Sequence, residues 1–137
     1  IVAVRCIAQV EAALIWTVDY TNGRKAFGKP LSGFQNTRFK LAEIQAELAV
    51  QRVFVDKCIE LLLDGKLDAV TGAIAKMKTS EFMCQALDDC LQMHGGYGFM
   101  AEYPIAKAWA DNRYARIAGG STEIMEEIIG RDLTGQR

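Results

Sequence analysis

The residues best suited to chemistry in this chain lie in three segments punctuated by glycine. In the first, residues 23–30, cationic side chains and one aromatic ring stand between two glycines. Arginine and lysine donors suit the phosphates of a dinucleotide, and an aromatic ring suits its flat ring system. The same cations also complement the negative C-terminal end of a preceding helix, so a solvated helix end remains the alternative for this loop.

The second segment, residues 92–98, reads Gln-Met-His-Gly-Gly-Tyr-Gly and contains the only histidine of the chain. Gly95 is placed to end a helix as a left-handed residue. We expect His94 to cap carbonyl groups or to fill a gap, because a single histidine at a helix end has no partner for acid–base work.

The third segment, residues 116–125, contains a Gly-Gly pair followed by Ser121 and Thr122. Either hydroxyl could cap a final helix, and Glu123 would then lie favourably near the positive end of that helix. A flexible turn with a helix cap is therefore the structural interpretation of this segment, and a binding role is the functional one.

Composition excludes several classes of protein. The formal net charge of −1 and the pI of about 5.9 provide no basic surface for nucleic acid. No apolar run approaches the roughly 20 residues that span a bilayer. Because the four cysteines show no CxxC spacing, we expect buried reduced thiols, with neither a metal site nor a disulfide, in a reducing compartment.

Apolar residues recur at spacings of three, four and seven, which predicts helices and no strands. The predicted helices cover residues 1–22, 36–63, 67–94, 104–114 and 121–132. On the third helix, the predicted buried face consists of Val70, Ile74, Met77, Cys84, Leu87 and Leu91. The fold class is therefore all-α: an antiparallel (up-down) four-helix-bundle-like domain with a short extra helix, spanning residues 1–137.

Four stretches in order resemble the C-terminal domain of the acyl-CoA dehydrogenases, flavoenzymes that desaturate fatty-acyl thioesters. They are residues 23–29 with Gln35, residues 92–98, residues 102–104 and residues 116–125. The chain also begins on an apolar, helix-like run without a cap. We therefore expect it to correspond to about the last third of a larger enzyme.

In many members of this family the third segment reads Tyr-Glu-Gly-Thr, and the Glu removes the α-proton of the substrate. Here Ala118 and Gly119 stand at the Tyr and Glu positions. This resembles the long-chain and isovaleryl subgroup, which implies a base two residues before Ile1 and no catalytic side chain within the chain itself. The resemblance further assigns Ala118, Gly119 and Gly120 to the substrate site, with the Gly119 N–H bound to the thioester oxygen and room for longer or branched acyl groups.

The resemblance implies FAD as the cofactor and no metal. Arg24 would hold the pyrophosphate of a neighbouring subunit's FAD, Phe27 would pack against that cofactor, and Gln35 would contact it. Near its adenosine half would lie Gln92, Gly95 and Gly96. Ser121 and Glu123 would touch the flavin of their own subunit.

The implied partners are an acyl-CoA substrate, an electron-transfer flavoprotein as acceptor, and copies of the same chain in a homotetramer. The implied location is the bacterial cytoplasm or, in a eukaryote, the mitochondrial matrix. Two alternatives stay open: a non-catalytic helical interaction module, and a flavin oxidase or monooxygenase on the same fold. The reaction of the reduced flavin with oxygen would distinguish the last from a dehydrogenase.

Overall fold

The computed structural model describes residues 1–136, in which five α-helices account for most of the chain. The helices are α1 (Val2–Gly23), α2 (Gln35–Leu63), α3 (Ala69–His94), α4 (Pro104–Asn112) and α5 (Thr122–Thr134). The predicted helices are confirmed with small shifts at their ends. Helix α4 ends at Asn112, two residues before its predicted end, and the chain continues as a 3-10 turn over Arg113–Arg116.

A short hairpin follows α1, although the sequence pattern predicted no strands. Its strands, β1 (Lys25–Ala26) and β2 (Lys29–Pro30), pair antiparallel. The turn between them has positive φ at both residues, 51° at Phe27 and 82° at Gly28. Two positive φ values match the twist of a tight hairpin. Strands of two residues are too short to show an alternating pattern, which explains why the prediction was wrong here.

Contacts between helix ends establish the direction of the first three helices. Val2 at the start of α1 and Leu62 at the end of α2 line the same groove. Lys40 near the start of α2 lies 3.9 Å from Asp89 near the end of α3. The ring of Tyr20, at the end of α1, stacks on that of His94, at the end of α3. Helices α1 and α3 are therefore parallel, and α2 runs antiparallel to both.

The fourth element of the bundle consists of α4 and the 3-10 turn after it, and it packs along α3. The Trp109 indole donates to Asp88 at 3.0 Å, and farther along the chain Arg116 lies 3.8 Å from Glu81. From Trp109 to Arg116, the contacted residue on α3 moves back from Asp88 to Glu81. Helix α4 and the following 3-10 turn therefore run antiparallel to α3. This gives the predicted up-down bundle, with α5 as the extra helix.

The core lies chiefly between α1 and α3, and its α3 face differs from the predicted one. Only Leu87 of the predicted face is fully buried, whereas the other five residues are half-buried. Small and polar residues occupy much of the buried face instead: Ala73, Ala75, Lys76, Thr79, Ser80, Met83, Ala86, Leu87, Cys90 and His94. Small side chains allow close approach of the two helices, and the hydroxyls of Thr79 and Ser80 bond back to carbonyls of their own helix.

All four cysteines are free thiols, and burial raises the pKa of each of them. Residues 1–136 contain no group of three or more His, Cys, Asp or Glu side chains placed to hold a metal ion. Over the same residues, none of the helices combines the length and the apolar character needed to cross a membrane.

Candidate functional site

An open cleft of about 830 Å³ lies where α1 and α3 end. Its lining residues are Tyr20, Arg24, Leu31, Gln92, Met93, His94, Gly95, Gly96, Tyr97 and Met100. The cleft thus joins two segments that are far apart in sequence, the loop after α1 and the end of α3. Four of the predicted cofactor residues, Arg24, Gln92, Gly95 and Gly96, meet in it.

The glycines at the end of α3 leave the cleft open. Gly95 ends the helix with φ 59° and ψ −137°, so its φ is positive as expected, but its ψ lies outside the left-handed helical region. A Cβ added at Gly95 or Gly96 would have no neighbour within 4 Å. Packing within this chain therefore does not require glycine at Gly96, and a side chain there would project into free space.

Gly98 differs from these two glycines. A Cβ at Gly98 would lie 2.5 Å from the Leu91 carbonyl oxygen and 3.1 Å from the Leu91 Cγ. Its backbone is buried against the last turns of α3, in the 3-10 segment Gly95–Phe99. Gly98 is therefore a packing glycine that holds the cleft-forming turn against the helix.

Aromatic rings form one wall of the cleft. Tyr20 stacks on His94 with ring centroids 4.2 Å apart, and its hydroxyl donates to the His94 carbonyl oxygen at 3.0 Å. The His94 Nδ1 donates to the Cys90 carbonyl oxygen at 2.8 Å, and the residue is only 3% exposed. His94 therefore fills a gap and caps the helix. Burial raises the pKa of the Tyr20 hydroxyl, against a smaller lowering by Arg24, so this hydroxyl stays neutral.

Arg24 is the cation of the cleft. Its guanidinium carbon lies 5.2 Å from the centre of the Tyr97 ring, a cation–π distance. Over residues 1–136 no carboxylate forms an ion pair with Arg24. The guanidinium is oriented by an aromatic face and keeps its donors free for an anion.

Four predicted cofactor residues lie outside the cleft: Phe27, Gln35, and the pair Ser121 and Glu123 at the start of α5. Phe27 is at the tip of the hairpin, 97% exposed, with its ring edge-on to Phe34 at 6.4 Å. Gln35 is the exposed first residue of α2. Neither belongs to the cleft lining of this chain, so both face outward beside it.

The second predicted site lies at the other end of the bundle, in the loop from Ala118 to Gly120. Gly119 and Gly120 have φ values of 67° and 97°. A Cβ on Gly119 would lie 3.7 Å from a methyl carbon of Val2, which places this loop beside the start of α1. The Lys76 Nζ donates to the Gly120 carbonyl oxygen.

Helix α5 begins directly after this loop, and Ser121 is its N-cap residue. The pKa of Glu123 is lowered, first by its own backbone N–H and then by the Ser121 hydroxyl. Thr122 is buried, and its Oγ1 has no hydrogen-bond partner within the described chain. Ser121 therefore stands at the N-cap position without a side-chain hydrogen bond to the helix backbone, so the predicted hydroxyl cap does not form, whereas Glu123 lies near the positive end of the helix as expected.

An apolar groove of about 240 Å³ adjoins this loop. Its walls are Ile1, Val2, Ala3, Val4, Val55, Cys58, Ile59, Leu62, Leu67, Gly72, Ala75 and Lys76. Val2 and Lys76 belong to both the groove and the surroundings of the loop. A chain of methylene groups is the ligand chemistry that such walls favour.

The two sites are separated by nearly the length of α1. From Val2 at the glycine loop to Tyr20 at the cleft, the helix rises about 27 Å at 1.5 Å per residue. Sequence reasoning missed Tyr20 and Lys76 as parts of these sites. Lys76 could have been found, because Ala73, Lys76 and Met83 share a helical face that also carries Thr79 and Ser80.

Comparisons with known proteins agree with this geometry. The family described as acyl-CoA dehydrogenase, C-terminal domain, matches residues 1–134. The mitochondrial long-chain specific acyl-CoA dehydrogenase of Mus musculus is 41% identical over 133 residues, which are 97% of this chain and 31% of that protein.

Solved structures give the same result. The acyl-CoA dehydrogenase of Geobacillus kaustophilus superposes with a TM-score of 0.94 at 38% identity, over 96% of this chain and 35% of that one. Butyryl-CoA dehydrogenase of Megasphaera elsdenii gives 0.93 at 34% identity, over 97% and 35%. The chain spans about a third of the length of these relatives. It belongs to the acyl-CoA dehydrogenase family and corresponds to the C-terminal domain of that family.

Proposed function

We propose that this chain is the C-terminal domain of an FAD-dependent acyl-CoA dehydrogenase, which removes an α-proton and a β-hydride from an acyl-CoA thioester. The observation that carries the proposal is the cleft at the ends of α1 and α3. It unites a guanidinium that pairs with no carboxylate of residues 1–136 with two glycines whose missing side chains leave free space.

The residues of the cleft fit a dinucleotide. Arg24 would bind the pyrophosphate, because a guanidinium donates two parallel hydrogen bonds to phosphate oxygens. Gln92 would bond to the adenosine half, and Gly95 and Gly96 would let that half approach the backbone closely. When bound, the flavin supplies the acceptor for the hydride.

At the glycine loop, the Gly119 N–H would donate to the thioester oxygen and stabilise the negative charge that develops there as the α-proton leaves. Ser121 and Glu123 would contact the flavin of the same subunit. The base would lie two residues before Ile1 on a continuation of α1, about 4.5 Å along the axis from Val2. A Cβ added at Gly119 would lie 3.7 Å from a methyl carbon of Val2, and this closeness supports that location.

The acyl tail would enter the apolar groove between α1, α2 and α3. Ala118 and Gly119 place no large side chain between the loop and this groove, so long or branched acyl groups are the substrates we expect. Among the lining residues of the groove, Lys76 is the charged one. We infer that shorter acyl groups would leave part of the groove unfilled and would bind less tightly.

We also propose that the protein acts as a homo-oligomer, specifically a tetramer. The two sites lie about 27 Å apart along α1. This separation favours the binding of a different FAD molecule at each site. Phe27 and Gln35 face outward beside the cleft, where a cofactor held mainly by a neighbouring subunit would reach them. An electron-transfer flavoprotein would reoxidise the flavin, in the bacterial cytoplasm or in the mitochondrial matrix.

The proposal is tested by the FAD content of the full-length protein. We expect about one FAD per subunit, and a clear loss of retained FAD in the Arg24→Gln variant. Arg131→Gln is the matched control, because Arg131 pairs only with Glu127 on the surface of α5. A full-length protein without flavin would favour the non-catalytic interaction module. Equal retention in both variants would contradict the role of the cleft.

A further inference from the structure

Lys76 is a buried cation in the wall of the apolar groove, and the proposed reaction assigns no role to its charge. It lies on the core face of α3 and is only 7% exposed. Its Nζ donates to the Gly120 carbonyl oxygen, and burial lowers its pKa. The titratable side chains that act on its pKa are Cys6 of α1, then Glu123 and Arg116 from the segments packed against α3.

The partner of Lys76 belongs to a pair of adjacent glycines in the loop before α5. Gly119 and Gly120 are adjacent, and both adopt positive φ values that other residues seldom adopt. Before this pair, the Ile117 and Ala118 amides donate to the Tyr114 carbonyl oxygen at 2.8 and 2.9 Å. The bond from Lys76 then holds the carbonyl group of the second glycine of the pair.

A core-filling role alone explains Lys76 poorly. Burying an ammonium group costs stability unless hydrogen bonds compensate, and an unbranched apolar side chain of similar length would fill the same space without that cost. The position therefore carries a cation whose bond reaches a loop carbonyl 44 residues away.

We propose that Lys76 is a positioning residue for the oxyanion donor. By holding the Gly120 carbonyl, its ammonium group fixes the two-glycine loop and keeps the Gly119 N–H directed at the thioester oxygen. This inference rests on the proposed function. Its physical basis is that an oxyanion donor acts only when it is already in place, and a shift of about 1 Å in a reacting group can cost about 100-fold in rate.

The test uses the full-length enzyme with FAD bound and three variants. Lys76→Met removes the ammonium group but keeps an unbranched apolar chain, and Lys76→Arg restores a cation with donors. Lys78→Met is the matched control, because Lys78 is exposed on the same helix and pairs with Glu81 at 3.6 Å. The readouts are kcat and KM for an acyl-CoA, bound FAD per subunit and the midpoint of thermal unfolding.

We expect Lys76→Met to lower kcat about 10- to 100-fold with KM changed less than about threefold, because the donor acts mainly in the transition state. Bound FAD stays the same, and the unfolding midpoint stays the same or rises. Lys76→Arg recovers part of the lost kcat, and Lys78→Met leaves every readout unchanged.

A kcat of Lys76→Met within about twofold of wild type would overturn the inference while leaving the proposed function intact. A parallel loss of kcat, FAD and unfolding midpoint would also overturn it, because it would reveal a merely structural lysine. A wild-type enzyme that retains FAD but does not desaturate acyl-CoA would instead refute the proposed function, and the loop-positioning role with it.

If Lys76→Met does not fold, the crystal structure of the wild-type holoenzyme decides. A Lys76 Nζ within hydrogen-bonding distance of the Gly120 oxygen, with both glycines as well ordered as Ala118, supports the inference. A separation beyond about 3.5 Å contradicts it, because no hydrogen bond spans that distance.

Discussion

Gly98→Ala offers a sharp test of the packing that forms the cofactor cleft. The added Cβ would lie 2.5 Å from the Leu91 carbonyl oxygen, 3.1 Å from the Leu91 Cγ and 3.3 Å from the His94 Cβ. Carbon–oxygen contacts in proteins are normally about 3.3 Å or longer. The turn must therefore move about 0.8 Å away from α3, against backbone and core atoms that have little freedom.

Overpacking of this kind costs about 1–3 kcal/mol of unfolding free energy, and we expect a value in the upper half of that range because the closest atom is backbone. For a chain of 137 residues, this corresponds to a decrease in Tm of about 7 to 10 °C. Urea unfolding followed by far-ultraviolet circular dichroism measures the free energy, and a thermal scan measures Tm.

Gly96→Ala is the matched control, two residues away in the same turn. Its Cβ would meet nothing within 4 Å, so its unfolding free energy stays within about 0.5 kcal/mol of wild type. A Gly98→Ala variant as stable as Gly96→Ala would refute the close packing of this turn on α3. Equal destabilisation of both variants would refute the open cleft at Gly96.

Three further outcomes follow from the described structure. Met83→Ala, at a fully buried site between α1 and α3, should lower the unfolding free energy by about 2–5 kcal/mol in urea, whereas a loss below about 1 kcal/mol would contradict a rigid core there. Phe27→Ala should leave the unfolding midpoint of this chain unchanged, because the ring is 97% exposed, yet reduce FAD retention in the full-length protein; unchanged retention would remove the hairpin tip from the cofactor site. Asp68, the N-cap of α3, has its pKa lowered first by the Thr71 hydroxyl and then by the Thr71 backbone N–H. The folded pKa of Asp68 lies below its ordinary value of 3.8. The contribution of Asp68 to folding stability is therefore complete above pH 3.8 and is lost as pH falls through the folded pKa. Tm of Asp68→Asn should then fall less steeply than that of wild type in this acid range, and identical slopes would contradict the assignment.

The helices could be predicted from the sequence because long apolar periodicities and few breakers decide them. Pro104 and Gly65 mark the start of α4 and the turn after α2, where Gly65 has a φ of 68°. The hairpin could not be predicted, because two-residue strands carry no pattern. Its turn depends on the conformation of Phe27, and positive φ is unusual for an aromatic residue.

The burial of α3 could not be predicted from hydrophobicity alone. Helix α3 packs on α1, α2, α4 and α5, and small side chains such as Ala73 and Ala75 are buried there, whereas the larger Ile74 and Met77 are half-buried. The helical face of Lys76 can be predicted from the sequence, but its hydrogen bond cannot, because the tertiary fold brings the carbonyl of Gly120 to it.

The two candidate sites were predicted by resemblance to a family, since their residues are distant in the sequence. Nothing in the spacing of Arg24 and Gln92 requires them to share a cleft; the parallel arrangement of α1 and α3 brings them together. Phe27 and Gln35 face outward, and the cofactor contacts predicted for them require a partner that a single chain does not contain. Their assignment stays a prediction.

The most direct test of the central proposal is an anaerobic titration of the full-length protein with acyl-CoA thioesters of increasing chain length. We expect the bound flavin to be reduced, with loss of its visible absorbance, and the acyl-CoA to be converted to its α,β-unsaturated form, most efficiently for long or branched chains. Rapid reoxidation of that flavin by oxygen would indicate an oxidase. A flavin that no acyl-CoA reduces would contradict the proposed activity.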